Sequence, residues 1–159
     1  MKILCRERRV KFGIERQIKT AFGKTVSMQK GAYLVIEHTE ALHVIDVNSG
    51  KFVGKKLHED NSLKINLEAA REVARQLRLR DMAGLVVIDF IDMRQYKNQK
   101  AVENAMRTAV RKDRARVSIG SISKFGLMEM SRQRLRPSLD DSAYKICPHC
   151  NGIGKVRST

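Results

Sequence analysis

Two aspartates lie at the ends of apolar runs that are typical of buried β-strands. Asp46 closes the run that begins at Leu42 and is followed by Asn48, and Asp89 closes the run that begins at Leu85. A buried strand that carries a carboxylate must satisfy it with hydrogen bonds, a cation or a metal, because an unpaired buried charge is costly. Since ligands usually bind at strand ends in open α/β sheets, we predict that Asp46 and Asp89 hold a metal ion.

The oxygen ligands of this set favour magnesium, with Asp46, Asn48 and Asp89 as the predicted catalytic residues. Strand side chains alternate, so Asp46 and Asn48 are expected on one face of the sheet. Mg²⁺ binds few carboxylates and keeps several waters, which would leave positions for phosphate oxygens. Such an ion would polarise a phosphate and supply a hydroxide for in-line attack. The competing interpretation is that both aspartates form salt bridges or caps, which is the commoner role of such residues.

Asp92 receives a different prediction. It stands three residues after Asp89, so the two side chains cannot share a face if the strand continues. The segment Asp92-Met93-Arg94-Gln95 resembles a capping box, in which Asp92 accepts hydrogen bonds from the first backbone N–H groups of a helix. We therefore expect Asp92 to cap the next helix.

Cys147 and Cys150 form a C-x-x-C pair, the spacing at which two thiolates bind zinc. Zinc takes four ligands and the chain has no second such pair, so either Cys5 and a distant histidine complete the site or two chains contribute two thiolates each. We favour a zinc ion shared in a homodimer. The rival is a redox dithiol, but a redox cysteine usually begins a helix, and the nine residues after Cys150 include two glycines.

Hydrophobic periodicity predicts the elements that position these residues. Three helices are expected: residues 14–23, a segment that Asn66 caps and whose apolar stripe runs to Leu77, and a segment with its stripe from Val102 to Val110. Strands are expected at residues 33–36, 42–47, 85–90, 117–122 and 126–132, with a surface loop between Gly50 and Asn61. This order predicts an α/β fold with a mixed sheet flanked by helices, in which strand 85–90 is central and covered on both faces.

The chain is strongly basic, with 32 Lys and Arg against 17 Asp and Glu and a formal charge of +15, which favours a polyanionic partner. We predict phosphate contacts at two basic clusters: Arg111, Lys112, Arg114, Arg116, Arg132 and Arg134. The alternative for any charge run is a solvated surface. Aromatic residues make up 5% of the chain, so recognition by base stacking is not expected.

Length and composition limit the class of protein further. At 159 residues the chain fits one domain with a substantial core. Its N terminus becomes charged too early for a signal peptide, and no apolar run is long enough to cross a bilayer. We therefore expect a cytoplasmic protein with no membrane segment.

With these residues in view, the chain resembles the ribonuclease E/G family of bacterial endoribonucleases. The similarity runs from about Gly13 onward and is carried by the segments GAYLVIEHTEAL, VIDVNSGKFVG, INLEAAREVARQLRLRDMAGLVVIDFIDM, AVRKDRARVSI, SKFGLMEMSRQRLRPSL and CPHCNGIG. The segment 50–54 indicates the shorter, G-type branch of the family.

The resemblance implies roles for individual residues. Asp46 and Asp89 correspond to the magnesium-binding carboxylates, with Asn48 as the adjacent amide. Cys147 and Cys150 correspond to a zinc link that two subunits share. Arg116 corresponds to an arginine that contacts the monophosphorylated 5′ end of RNA.

The resemblance also implies an activity, the hydrolysis of single-stranded RNA to 5′-phosphate and 3′-hydroxyl ends in RNA processing and decay. Residues 1–23 would correspond to the tail of a ribonuclease-H-like subdomain, 24–140 to a deoxyribonuclease-I-like catalytic subdomain and 141–159 to the zinc link. No oligonucleotide-binding barrel, 5′-sensor subdomain or small domain is recognised in the sequence, so we expect weak RNA capture. Zinc-linked dimers that pair with one another would form a higher homo-oligomer.

Three functions are therefore weighed against one another. The leading hypothesis is a magnesium-dependent endoribonuclease core that acts on single-stranded RNA. The alternative is a zinc-linked RNA-binding or assembly module that does not cut, for which salt-sensitive binding without products would be the signature. A dithiol oxidoreductase ranks third.

Overall fold

The computed structural model describes residues 13–50 and 58–139 together with Pro148. Its helices are α1 (Ile14–Ala21), α2 (His58–Arg80) and α3 (Tyr96–Val110). Its strands are β1 (Thr25–Ser27), β2 (Tyr33–His38), β3 (His43–Asn48), β4 (Gly84–Asp89), β5 (Val117–Ile122) and β6 (Leu127–Arg132). The predicted order of helices and strands is confirmed, with β1 as an additional short strand. Within these ranges no helix combines the length and apolar character that crossing a bilayer requires.

The strands form one mixed sheet of six strands in the order β1, β2, β3, β4, β6, β5. β3 and β4 are parallel, and the other neighbouring pairs are antiparallel. Parallel neighbours need a long crossover connection, and α2 lies within the connection between β3 and β4. β4 therefore lies in the interior of the sheet, as predicted for strand 85–90.

The described helices cover one face of this sheet. Along β3, Ile45 and Val47 are buried whereas Asp46 is exposed, and the buried positions of β4 and β6 alternate in the same way. The buried strand residues form one core with apolar residues of α2 and α3, among them Ile65, Ala69, Val73, Leu77, Val102 and Met106. The prediction that strand 85–90 is covered on both faces is not met by the described residues, because Leu85 is 57% exposed on the other face.

Helix α2 begins at His58, eight residues before the predicted cap. Glu59 and Asp60 in its first turn place negative charge where the helix dipole favours it. Asn66 is therefore a buried residue inside the helix, where its amide accepts a hydrogen bond from the N–H of Ile91 at 3.1 Å and donates one to the Ile91 carbonyl at 2.8 Å. The predicted surface loop ends before His58, and its residues 51–57 lie outside the described part.

The start of α3 is capped from a neighbouring helix. The carboxylate of Glu59 accepts hydrogen bonds from the backbone N–H groups of Arg94 and Gln95, at 3.1 and 3.0 Å, and from the side chain of Asn98 at 3.0 Å. These hydrogen bonds lower the pKa of Glu59, those from the Gln95 and Arg94 backbone most strongly. The prediction that Asp92 caps this helix is wrong, because a carboxylate distant in sequence occupies that role.

Candidate functional site

Asp46 and Asp89 lie side by side at the edge of the sheet where β3 and β4 end. They are register partners across the parallel pair, so their Cα atoms are separated by about one strand spacing, roughly 4.8 Å. The preceding partners, Ile45 and Ile88, are both buried against the helices. Because side chains alternate, Asp46 and Asp89 both point to the face that the described helices leave open, and both are exposed. We refer to these two residues as the acid pair.

Asn48 joins the acid pair on the same face. Its side-chain amide donates a hydrogen bond to Oδ2 of Asp46 at 2.7 Å, so the position of one carboxylate is fixed from its own strand. Asn48 stands opposite Tyr33 of β2 in the register. The structure thus brings together the three side chains that the sequence singled out for this site.

Asp89 carries an electrostatic strain that a cation would relieve. Neighbouring atoms shield its carboxyl from water and thereby raise its pKa, and the negative charges of Asp46 and Asp92 raise it further. Asp92 therefore belongs to the electrostatic surroundings of the site, although the sequence interpretation assigned it to a helix cap. A divalent ion between the two strand ends would reverse the sign of this interaction.

The strand ends offer few metal ligands, and these are hard oxygen donors. Across residues 13–50 and 58–139, no three His, Cys, Asp or Glu side chains cluster closely enough to hold a metal ion. The available ligands at the strand ends are the acid pair and the Asn48 amide, which offer oxygen atoms. Such a set matches the habit of Mg²⁺, which binds through one or two carboxylates and fills its remaining positions with water or phosphate oxygens.

The open face of the sheet is acidic in a chain that is basic as a whole. The outward positions of β2, β3, β4 and β6 hold four carboxylates and no lysine or arginine: Tyr33, Val35, Glu37, Val44, Asp46, Asn48, Leu85, Val87, Asp89, Leu127, Glu129 and Ser131. Lys24, which precedes β1, forms an ion pair with one of these carboxylates, Glu37, at 3.5 Å. A polyanion that reached the acid pair would meet attraction only from a bound cation or from the rim of the sheet.

Positive charge gathers at the opposite end of the sheet. A cleft of about 350 Å³ is formed there by the last turn of α2, the segment after α3 and the segment after β6, and it is lined by Arg78, Asp81, Lys112, Asp113, Arg114, Arg132, Leu135 and Arg136. We call it the basic cleft. In the β4–β6 register Arg132 pairs with Gly84 at this end, whereas Leu127 pairs with Asp89 at the other, so about 16 Å separate the two ends.

Arg132 is a correction to the predicted phosphate contacts. Its side chain is 3% exposed, and its guanidinium binds both carboxylate oxygens of Asp113, at 2.9 and 3.1 Å, and the Met82 carbonyl at 3.1 Å. The sequence carried a signal for this, since Arg132 follows Met128 and Met130 at strand spacing and shares their buried face. Its role is to anchor the end of β6, and we exclude it from the proposed phosphate contacts.

Asp113 completes this buried ion pair. Burial opposes the ionisation of Asp113, but the hydrogen bonds from Arg132 and from the Ala115 N–H, with the charges of Arg132 and Arg78, outweigh it and hold the pKa of Asp113 below its usual value. The pair is thus ionised at neutral pH. It holds the segment between α3 and β5, which carries Arg114 and Arg116, against the end of β6.

The other predicted cations are exposed, as a phosphate contact requires: Arg111, Lys112, Arg114, Arg116 and Arg134. Sequence reasoning missed Arg78, which lines the basic cleft from the last turn of α2. Among the described residues no carboxylate lies within ion-pair distance of Arg78, Lys112 or Arg114, whereas Arg136 is paired with Asp81 at 2.5 Å. The cleft therefore has three cations available for an anion.

Cys147, Cys150 and Cys5 lie outside the described residues. The zinc link and its sharing between two chains therefore stay predictions.

Comparison with known proteins adds a family relationship to this geometry. The sequence profile of the Ribonuclease E/G family matches residues 5–135. Ribonuclease E of Haemophilus influenzae is 56% identical over 146 residues and ribonuclease E of Escherichia coli K12 is 54% identical over 146 residues, each alignment covering 92% of this chain but 16% and 14% of the relative. Ribonuclease G of Escherichia coli K12 is 39% identical over 147 residues, covering 92% of this chain and 30% of the relative.

These comparisons bear on two points. The chain spans less than a third of the length of each of these relatives. The indication of a G-type protein from segment 50–54 is wrong, because the identity with the two ribonuclease E proteins is higher than with ribonuclease G.

Proposed function

The chain belongs to the ribonuclease E/G family, and from this premise we propose that its acid pair is the catalytic centre of a magnesium-dependent endoribonuclease acting on single-stranded RNA. The observation that carries the proposal is the register pairing of Asp46 with Asp89 on the open face of the sheet. Two carboxylates at neighbouring strand ends, open to a polymeric substrate, form the arrangement that metal-assisted phosphodiester hydrolysis requires.

The residues present fit magnesium. The acid pair and the Asn48 amide offer oxygen ligands alone, and burial together with the negative charges of Asp46 and Asp92 raises the pKa of Asp89. Asp46 and Asp89 would hold the ion directly, and Asn48 would orient Asp46 and contribute its amide oxygen. When bound, Mg²⁺ supplies Lewis-acid activation of the phosphate and of water.

The chain's own residues then set the geometry of the reaction. The exposed acid pair leaves one side open for a phosphodiester, and the outward carboxylates of the face repel RNA phosphates that lie elsewhere on it. We propose that a water oxygen attacks phosphorus while the bond to the 3′ oxygen breaks and that oxygen takes up a proton. This leaves a 5′-phosphate and a 3′-hydroxyl.

We propose that RNA is held by the basic end of the sheet. Arg78, Lys112 and Arg114 form no ion pair with a carboxylate among the described residues, so their charges could bind a backbone phosphate in the basic cleft. Exposed Arg111, Arg116 and Arg134 extend this surface, and the resemblance to the family assigns Arg116 to the RNA 5′ end. A strand bound at both ends would span the 16 Å or so between cleft and acid pair.

We also propose that the described fold is the deoxyribonuclease-I-like subdomain of the family. Cys147 and Cys150 would follow it as a zinc link shared by two copies of the chain, and further pairing of such dimers would use other surfaces. Metal analysis together with a solution mass tests this: one zinc per two chains agrees with the shared site, and one zinc per chain contradicts it.

The test of the activity uses a single-stranded, A/U-rich oligoribonucleotide with a fluorescent label. We expect cutting that depends on Mg²⁺ and falls by at least about 100-fold in Asp46→Asn and Asp89→Asn. Glu129→Gln is the matched control, because Glu129 is an outward carboxylate of β6 that faces Val87 rather than the acid pair. Cutting that is unchanged in both aspartate variants would remove the proposal.

The second candidate function is RNA binding without cutting. The observation that favours it is the position of the basic cleft, which lies at the opposite end of the sheet and needs neither member of the acid pair to bind a phosphate. Its signature is RNA binding that weakens steeply with salt, without Mg²⁺-dependent products.

A further inference from the structure

The two most exposed large apolar side chains of the described residues are both aromatic. Phe125 is 73% exposed and Tyr96 is 69% exposed. From the low aromatic content, recognition by base stacking was not expected. The structure, however, brings both rings to the end of the sheet that carries the acid pair, because Tyr96 begins α3 just after β4 and Phe125 lies in the turn between β5 and β6.

Phe125 lies close to the acid pair along the backbone. Leu127, the first residue of β6, is the register partner of Asp89. Phe125 stands two residues earlier, so its Cα lies within about 10 Å of the Asp89 Cα. Glycine at position 126 also keeps this turn against the site, because a Cβ there would lie 3.3 Å from Oδ1 of Asp92.

The turn that carries Phe125 is held by three hydrogen bonds that all involve Ser123. The Ser123 N–H donates to the Leu127 carbonyl at 2.8 Å, and the Ser123 carbonyl accepts from the Gly126 N–H at 3.0 Å. The Ser123 hydroxyl accepts from the Phe125 N–H at 3.2 Å. Gly126 takes φ of 82°, which a residue with a side chain rarely adopts. The ring is thus presented to solvent by a preorganised backbone.

A lysine accompanies each of the two rings, but the two lysines differ in charge balance. Lys124 Nζ lies 5.0 Å from the centre of the Phe125 ring, and Lys100 Nζ lies 5.2 Å from the centre of Tyr96. Lys100 is paired with Glu103 at 2.8 Å. Lys124 has no carboxylate at ion-pair distance within the described residues. The Phe125 turn therefore offers a flat apolar surface beside an uncompensated cation.

We infer that the Ser123–Gly126 turn is an RNA-base platform, on which Phe125 stacks a base next to the scissile phosphate and Lys124 contacts a neighbouring backbone phosphate. The identity of the ligand rests on the proposed function, whereas the platform itself rests on the exposure of Phe125 and its distance from Asp89. Stacking accepts every base because each has a π-face, so this platform would position single-stranded RNA without reading its sequence. It would also disfavour a duplex, whose bases are already stacked.

The test replaces single bases of a single-stranded oligoribonucleotide with 2-aminopurine, whose fluorescence falls when it stacks. Binding is measured in buffer without added Mg²⁺ and without a chelator, so that cutting is suppressed and the proposed zinc link is kept. We expect one position to be quenched by the unaltered chain. In Phe125→Leu, which keeps apolar bulk but removes the π-face, we expect the quenching to vanish and the Kd to rise by about 5- to 150-fold. Phe125→Trp should retain the quenching and the Kd of the unaltered chain. Leu79→Ala is the control, because Leu79 is an exposed apolar residue of α2 on the helical layer.

The outcomes separate this inference from the proposed activity. Loss of quenching in Phe125→Leu, with no cutting by the unaltered chain in Mg²⁺, would support the platform and reject the nuclease. Cutting that depends on the acid pair, with quenching and Kd unchanged in Phe125→Leu, would reject the platform alone. The platform is also overturned if the unaltered chain binds no RNA at low salt, or if Phe125→Leu alters only the number of chains per particle.

Discussion

Asp89 lies directly beside Asp46 across the parallel β3–β4 pair. Burial of the Asp89 carboxyl, together with the charges of Asp46 and Asp92, raises its pKa, so the metal-free acid pair costs stability at neutral pH. The folded chain binds the Asp89 proton more tightly than the unfolded chain does, because the folded pKa is raised. Ionised Asp89 thus destabilises the fold, an effect that sets in as the pH rises through the unfolded pKa and is complete above the folded one.

Asp89→Asn should consequently raise the melting temperature at pH 7 in metal-free buffer, and the gain should disappear below the usual pKa of an aspartate. Addition of Mg²⁺ should stabilise the unaltered chain and not the variant, because ligand binding to the folded state alone shifts the equilibrium. Thermal unfolding followed by circular dichroism measures both effects. An Asp89→Asn variant less stable than the unaltered chain at pH 7 would contradict the prediction.

Asn66 should be essential to the segment that follows the acid pair. Asn66→Ala removes both hydrogen bonds to the Ile91 backbone and leaves the Ile91 N–H and the Ile91 carbonyl without this partner. We therefore expect a loss of about 2–4 kcal/mol in the free energy of unfolding. Urea denaturation measures it. Asn104→Ala, at an exposed position of α3, is the control and should change stability by no more than about 0.5 kcal/mol.

The buried ion pair of Arg132 and Asp113 should matter more to stability than an exposed salt bridge does. Arg132→Ala leaves the Asp113 carboxylate buried and unpaired, for which we expect a loss of about 3–5 kcal/mol. The double variant Arg132→Met with Asp113→Leu should recover most of it, since an apolar pair of similar volume is often as stable. Single and double variants compared by urea denaturation test this, and a double variant no better than Arg132→Ala would count against it.

The same pair sets part of the acid response of the protein. The pKa of Asp113 is lowered in the folded state, so its stabilising contribution is present above the unfolded pKa and is lost as the pH falls through the folded one. Asp113→Asn should therefore be less stable than the unaltered chain at pH 7 and approach it in acid. A constant difference in melting temperature from pH 7 down to pH values below the folded pKa would oppose this assignment.

The basic cleft should dominate the salt dependence of RNA binding. Each of Arg78→Ala, Lys112→Ala and Arg114→Ala should lower the slope of log Kobs against log salt concentration by about 0.7, the value for one phosphate of a single strand. Lys64→Ala, an exposed cation on α2 outside the cleft, should leave the slope unchanged. Filter binding at several salt concentrations measures the slopes, and equal slopes for all four variants would refute a localised contact.

Sequence periodicity predicted most of the fold because local patterns decide it. Strand 117–122 was placed to the residue, since the β-branched residues Val117, Ile119 and Ile122 recur there. The acid pair was predicted to share one edge of the sheet from the general position of ligands at strand ends. Its direct register could not be known, because the alternation within β3 and β4 fixes the face that each side chain takes but leaves registers that differ by two residues equally possible.

The two cap predictions failed because a distant partner overrode a local pattern. Asn66 and Asp92 both have the sequence context of a helix cap. In the folded chain the Ile91 peptide engages Asn66, and Glu59 takes the place expected of Asp92. Phe125 was missed for a different reason. Composition gives the number of aromatic residues but does not show which of them the fold leaves exposed.

The single parallel pairing in the sheet has a consequence for how the protein acquires its activity. β3 can pair with β4 only when the long connection between them, which contains α2, closes into a loop, and such non-local pairings form slowly. A chain that is still being synthesised therefore contains Asp46 well before β4 places Asp89 beside it. We therefore expect the edge that joins the acid pair to form late in folding, so that a partly synthesised chain would lack the proposed catalytic centre.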